Sequence, residues 1–277
     1  MSSLAIAAYR LLFASLLLFP FSIKKTIADL KNKSLSDFLL IILSGILLAV
    51  HFGSWILSLE FITVMISVVL VTTTPIWVAM MSPLITKEKI SRRFWVGLFF
   101  SMIGIIFASG LWQDDALTHV NIFNLDQFYG NGLALLGAFC AAGYVIIGRL
   151  MRHKISNQSY TLSVYSSAAL ILILAVILLP TETILIERPA FKWLVFLAII
   201  PQIIGHSLIN WFLGSQPAHQ VSIYLLGEPI GSTIMAALFL QEIPGIQESI
   251  GALVILIGIL IAAGGRKDAH KDSRKTI

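Results

Sequence analysis

Residues 75–110 read PIWVAMMSPLITKEKISRRFWVGLFFSMIGIIFASG, and residues 229–264 read PIGSTIMAALFLQEIPGIQESIGALVILIGILIAAG. Laid over each other at a constant offset of 154, without a gap, the two 36-residue windows agree at eleven positions, Met81 with Met235 among them. Pro75 and Ile76 meet Pro229 and Ile230, Leu84 meets Leu238, and Glu88 meets Glu242. Gly97 meets Gly251, Ile103-Gly104-Ile105 meets Ile257-Gly258-Ile259, and Ala108 and Gly110 meet Ala262 and Gly264. At the neighbouring offset of 155, His51 meets His206. Two unrelated apolar segments share only a handful of residues by chance, so the chain reads as a duplication.

Working outward from these windows, the rest of the chain is equally apolar. Of its 277 residues 57% are hydrophobic and 12% charged, against about 25% charged in a soluble domain. About 20 consecutive apolar residues span the hydrocarbon core as a helix. That measure predicts spans at 4–22, 37–58, 62–86, 93–112, 129–150, 159–180, 191–213, 218–241 and 247–264. The runs lack the alternation of barrel strands, and backbone groups in lipid must be satisfied internally. The fold class expected is an all-α integral membrane protein, a bundle of nine transmembrane helices. Matched spans lie five apart, an odd number, so the two copies cross the membrane in opposite directions. The first inverted repeat takes residues 1–112 with four helices and the second takes 129–264 with five, followed by a basic tail at 265–277. A counterpart of span 129–150 would begin about 25 residues before Met1 by the same offset. Either the chain starts late or this copy has lost a helix, and the late start is the expectation.

Charge sets the orientation. Sixteen of the nineteen Lys and Arg residues fall in alternate connecting segments and the carboxyl-terminal tail, the asymmetry that marks cytoplasmic loops. The carboxyl terminus is therefore expected in the cytoplasm of a bacterial or archaeal cell, with the protein multi-pass in its plasma membrane. The net charge of +5 is accounted for by these topology signals and calls for no nucleic acid. Cys140 is the lone cysteine, so no internal disulfide forms. Lys24-Lys25 follows the first span where a signal peptide would carry a cleavage site.

Ionisable residues within membrane spans usually face a cavity or a partner. Arg10, His51, His206 and Glu228 lie at such depths. Glu228 sits close to the middle of its span and is followed by Pro229, which cannot donate a backbone hydrogen bond. The carbonyl of Leu225 is expected to be freed and the helix to bend beside the carboxylate, a candidate site for a substrate amine or a coupling proton. Gln202, His206 and Asn210 recur at i, i+4 and i+8 and so share one helical stripe. Ser44, His51 and Trp55 make a similar stripe on the corresponding span of the other repeat. Thr74 is the counterpart of Glu228, with Trp77 near it, and Tyr224 precedes Glu228 by one turn on the same face. These residues are the expected cavity lining; for each the alternative is interhelical hydrogen bonding or packing. For Arg10 the two readings are a carboxylate-binding residue and a snorkelling anchor at the outer interface, of which the anchor is the expectation; Tyr144 is a weaker candidate. Glu88 and Glu242, with Pro75 and Pro229, are expected as helix-end or gate residues. Gly97, Ser101, Gly104 and Ala108 form a small-residue packing stripe, and Gly251, Gly258 and Ala262 repeat it.

The segment from Leu225 to Ile230, then Leu238 to Glu242, Gly251 and Gly258, resembles the drug/metabolite transporter superfamily in its EamA-type branch. The first copy, from Pro75 through Glu88 and Gly97 to Gly104, matches the same pattern, as does Ala8-Tyr9-Arg10 opening a leucine-rich helix. The resemblance covers nearly the whole chain and implies ten helices in two inverted five-helix repeats. It also implies export or exchange of amino acids, sugars, nucleotide-linked sugars or other metabolites.

No zinc HExxH, GxSxG elbow or Walker loop occurs. The expectation is a secondary transporter, not an enzyme, without metal or cofactor, working by alternating access and coupled to protons through Glu228. Its partners are a small-molecule substrate and the lipid bilayer, and a homodimer is compatible. One rival is a non-transporting assembly or regulatory subunit. Another is an intramembrane lipid-modifying enzyme using His51, His206 and Glu228. With at most Arg10 as a fixed cation near the midplane, a neutral or zwitterionic metabolite fits better than a polyphosphate.

Overall fold

The computed structural model describes residues 1–108, 125–179, 186, 188–239, 241 and 245–264. Glu242, residues 109–112 of the first repeat and the tail at 265–277 lie outside the described residues. Every element among the described residues is helical. Helix α1 spans Ser3–Leu30 and α2 spans Leu35–Ser58. Two shorter helices follow, α3 (Val64–Val71) and α4 (Thr74–Ile85), then α5 (Arg92–Ala108). The second half opens with α6 (Leu125–Arg152) and α7 (Asn157–Leu178). It continues with α8 (Arg188–Leu197), a π-helical stretch at Ala198–His206, and α9 (Ser207–Leu213). Helix α10 (Ala218–Tyr224), a 3-10 turn at Leu225–Gly227, α11 (Glu228–Phe239) and α12 (Ile246–Gly264) complete it.

Hydroxyl side chains start several of these helices. Ser34 accepts from the Asp37 amide at 3.2 Å, Thr63 from that of Ile66 at 3.3 Å and Ser156 from that of Ser159 at 3.3 Å. Each satisfies one of the amides that a helix start leaves unpaired. Six helical runs among the described residues are long and apolar enough to cross a membrane: α1, α2, Ile66–Ile85, α6, α7 and Arg188–Leu213. Large apolar side chains such as Phe21, Leu84 and Leu260 stand exposed on the outside of the bundle, as lipid-facing residues do. The protein is a multi-pass helical bundle of the membrane.

Three predicted spans differ in detail. Span 4–22 continues as helix through Lys24 and Lys25 to Leu30, because a helix that leaves the apolar layer has no reason to end at its border. Span 62–86 divides between α3 and α4 at Thr72 and Thr73, whose hydroxyls turn back to the carbonyls of Val69 and Leu70 at 2.9 and 2.6 Å. Span 218–241 divides at the 3-10 turn, where the Leu225 carbonyl accepts from the Glu228 amide. Leu225 is therefore not left free, as the Pro229 argument expected; the tighter turn takes up its carbonyl instead.

Packing follows the small residues. A Cβ on Gly97 would lie 2.3 Å from the Gly258 carbonyl oxygen, and one on Gly104 would lie 2.9 Å from that of Gly251. Helices α5 and α12 therefore run antiparallel with their backbones in contact. Gly45 brings α2 equally close to Ser167 of α7. One core cluster gathers Leu11, Leu48, Phe52, Tyr144, Tyr160 and Tyr165 from α1, α2, α6 and α7. A second joins α4, α5, α10 and α12 through Ala79, Phe94, Leu98, Ile223, Leu226 and Ile255. Lipid gives no hydrophobic drive for helix association, so close van der Waals fit of this kind holds the bundle together.

Candidate functional site

A cavity of about 320 Å³ opens among the helices of the bundle. Its lining comes from α1, α2, the α3–α4 break, α6, the π-helical stretch, α9 and the α10–α11 break. Of the nine residues expected to bind substrate, His51, Trp55, Thr74, His206, Tyr224 and Glu228 line it. Both interrupted helices point their breaks at it, through Val71, Thr72 and Thr74 on one side and Tyr224, Leu225 and Glu228 on the other. An interrupted helix frees backbone and side-chain polar groups at membrane depth, where only a cavity or a protein neighbour can take them.

Arg10 also lines the cavity, and the expectation of an interface anchor is corrected. It is 6% exposed, its Nε donates to Gln202 Oε1 at 2.8 Å, and its guanidinium lies 4.1 Å from the Phe52 ring centroid. Burial this complete leaves no path for snorkelling. The signal that would have found it is Gln202, a partner 192 residues away that no local pattern connects.

The π-helical stretch explains why one expected stripe is split. Pro201 within it cannot donate to the carbonyl one turn back, and the ladder there is π instead of α, so i, i+4, i+8 spacing no longer marks one face. His206 keeps to the cavity. Gln202, fully buried, turns to Arg10. Asn210, also fully buried, accepts from the Tyr144 hydroxyl at 2.8 Å and is not among the lining residues. Trp77 likewise stands off the cavity, edge-on to Phe139 at 5.5 Å. Tyr144, read as a weak candidate, is a lining residue.

His51 Nδ1 lies 2.9 Å from the Gly137 carbonyl oxygen. A carbonyl only accepts, so Nδ1 carries the proton and Nε2 is left as an acceptor. The ring stacks on Trp55 at 5.9 Å and 14°. Thr74 donates to the carbonyls of Val71 at 2.8 Å and Ala138 at 3.3 Å, tying the α4 start to α6. Glu228 is exposed to the cavity, and no hydrogen bond or ion pair engages it among the described residues.

Further along α6 the bundle is tied shut. Arg149 donates to Glu88 Oε1 and to the Leu213 carbonyl, each at 2.8 Å. Glu88 Oε2 accepts the Ala218 amide at 2.9 Å, at the start of α10. Arg152 donates to the Asn210 carbonyl at 3.1 Å, and Lys154 pairs with Asp37 at 2.5 Å. Burial alone would raise the Glu88 carboxyl. The His219 imidazole 3.6 Å away, Arg149 and the Ala218 amide outweigh it and hold the carboxyl below its ordinary value. Lys87 just before it takes a left-handed backbone, φ 58°, and Gln241 takes φ 57°. In sequence these two positions differ by the same 154 residues.

Compared with known proteins, the chain matches the model of the EamA-like transporter family over residues 1–110 and 128–264. A protein of Archaeoglobus fulgidus named as an uncharacterized transporter is 22% identical over 258 residues, covering 92% of this chain and 86% of its own. The uncharacterized transporter YyaM of Bacillus subtilis is 22% identical over 195 residues, covering 69% and 61%. A solved crystal structure superposes with a TM-score of 0.74 over 95% of this chain and 87% of its own. At 13% identity that likeness is one of fold alone.

Proposed function

The chain belongs to the EamA-like transporter family, and from that membership we propose that it is a secondary carrier exchanging or exporting small metabolites such as amino acids. Two inverted halves, 1–112 and 129–264, alternate around a central site in nine transmembrane helices. The observation that carries this reading is the cavity between the two interrupted helices, lined by Arg10, His51, His206 and Glu228. Substrate sites near the midplane at a repeat interface, formed by discontinuous helices, are the general design of inverted-repeat transporters. The breaks fall at positions that correspond under the 154-residue offset, Thr74 with Glu228 and Pro75 with Pro229. The α5–α12 contact supports the same symmetry, since Gly97 meets Gly258 and Gly104 meets Gly251, each the counterpart of the other's partner.

The basic segments orient the carboxyl terminus to the cytoplasm. In that frame the Glu88–Arg149 closure lies at the cytoplasmic face, and the cavity belongs to a state closed on that side. Glu228, unpaired within the cavity, is the candidate for proton coupling.

Counterflow in proteoliposomes tests the proposal. Vesicles preloaded with amino acids, sugars or nucleotide derivatives are diluted into the labelled form of the same solute. Uptake driven only by the unlabelled copy inside establishes a carrier. Uptake of none, with the protein shown folded and inserted, points instead to a non-transporting subunit.

A further inference from the structure

Arg10 is a cation inside the bundle without an anion. It is 6% exposed, and no carboxylate approaches it to ion-pair distance among the described residues. One of its five donors is used, by Gln202 Oε1 at 2.8 Å, and Phe52 covers one face. An isolated buried charge is among the most unfavourable arrangements a protein holds unless something pairs with it. The groups around it are unmet in the same sense. Gln202 Nε2, Trp55 Nε1 and His206 Nδ1 are buried and lack a hydrogen-bond partner. The amide and indole nitrogens only donate, and the imidazole donates in one tautomer.

We infer that Arg10 and these neighbouring donors form an anion subsite of the cavity that takes the carboxylate of the carried solute. A guanidinium fork matches a carboxylate with two parallel hydrogen bonds. Gln202 holds the fork by Nε and leaves the terminal nitrogens for the ligand, and Phe52 fixes its plane. Gln202 is itself anchored through its carbonyl, which accepts from the Tyr165 hydroxyl at 3.3 Å. Glu228, from α11, is the acidic group whose field reaches Arg10, yet the two form no ion pair. A solute with a carboxylate and a separate ammonium completes both. Arg10 reads the acid end and Glu228 the amine, which selects zwitterions over sugars and free amines. The inference deepens the transport reading and rests on it for passage of the solute, though not for its binding.

The test pairs each of the protein amino acids with its α-amide, which keeps the ammonium and removes the carboxylate. Binding to purified protein in nanodiscs is read by thermal shift and titration, with counterflow measured in parallel. The expected result is that the wild type prefers acid to amide by about 10- to 100-fold, the range of a charge-assisted pair. Arg10→Gln brings that ratio close to one. Arg10→Lys keeps the charge without the fork and falls between. Gln202→Leu, which leaves Arg10 in place but unheld and removes one of the subsite's donors, lowers the ratio as well. If Arg10→Gln does not fold, the Lys and Leu variants read the same ratio. A wild type that does not distinguish acid from amide, or variants that keep the full ratio, overturns the inference. Acid binding that depends on Arg10 without counterflow leaves the subsite standing and removes the carrier. Counterflow of acid and amide alike does the reverse.

Discussion

Ser101 donates its hydroxyl to the carbonyl of Ile255 at 3.3 Å, and the two residues lie 154 positions apart. Each is therefore the counterpart of the other under the sequence offset of 154, as the inverted repeat proposed above requires of α5 and α12. A self-matched contact flanked by exchanged ones is how a twofold interface is built between subunits. Here the same arrangement falls within one chain.

That contact leaves no room for side chains. A Cβ on Gly97 would meet the Gly258 carbonyl oxygen at 2.3 Å and the Ala262 amide at 2.5 Å, both backbone atoms that cannot rotate away. Gly97→Ala and Gly258→Ala should each destabilise by about 1–3 kcal/mol, the range for overpacking. At Gly132 an added Cβ meets nothing within 4 Å, and alanine should be neutral or stabilise by up to about 1 kcal/mol. Unfolding midpoints in mixed detergent micelles give the comparison.

Glu88 ties α6 to the start of α10, and its carboxyl is held below its ordinary value of 4.5. A depressed carboxyl adds stability that is complete above that ordinary value and fades as pH falls through the folded one. The melting temperature should therefore fall below about pH 4.5 more steeply in the wild type than in Glu88→Gln. At neutral pH the Gln variant should be less stable by about 1–3 kcal/mol, since charged hydrogen bonds are lost in a part-buried site. Thermal melts across the pH range decide it; parallel curves would remove Glu88 from this role.

Lys87 holds φ 58° with its side chain exposed, a conformation that costs a non-glycine residue about 1–2 kcal/mol. Lys87→Gly should be neutral or stabilising, and Lys87→Val should destabilise by at least as much as the strain. Both are read from unfolding midpoints. A valine variant as stable as the wild type would show that the left-handed turn is not held in solution.

Glu228→Gln keeps the shape of the side chain and removes its charge. The preference of the carrier for an amino acid over the same acid lacking the amine should fall about tenfold, the worth of one charged pair. The pH dependence of exchange should flatten with it. Normal exchange with unchanged pH dependence would take Glu228 out of both amine binding and proton coupling.

Much of this molecule is legible in one dimension because the bilayer imposes a single rule, long apolar runs with charge between them. Family membership was equally open, since the Glu-Pro pair at Glu228 and Pro229 and the glycines that follow sit in a fixed frame. The glycine stripes of α5 and α12 announce packing, but which helix each would meet is a matter of three dimensions. The place of Arg10 is likewise a matter of three dimensions. Its depth suits an interface anchor or a cavity residue, and only the approach of Gln202 across 192 residues separates them. The splitting of Gln202, His206 and Asn210 is invisible in sequence because helical periodicity holds only where the winding is α, and here it is π.

That departure has a bearing on comparing this chain with its relatives. A π-helical stretch advances the chain by less rotation per residue than the roughly 100° of an α-helix. Such a stretch absorbs an extra residue, so a homologue one residue shorter within Ala198–His206 would regain ordinary winding and keep α9, with Asn210, facing Tyr144. The change such a deletion makes is confined to the wall from Pro201 to His206. Aligned columns after residue 206 name equivalent residues only when the gap is placed inside the stretch.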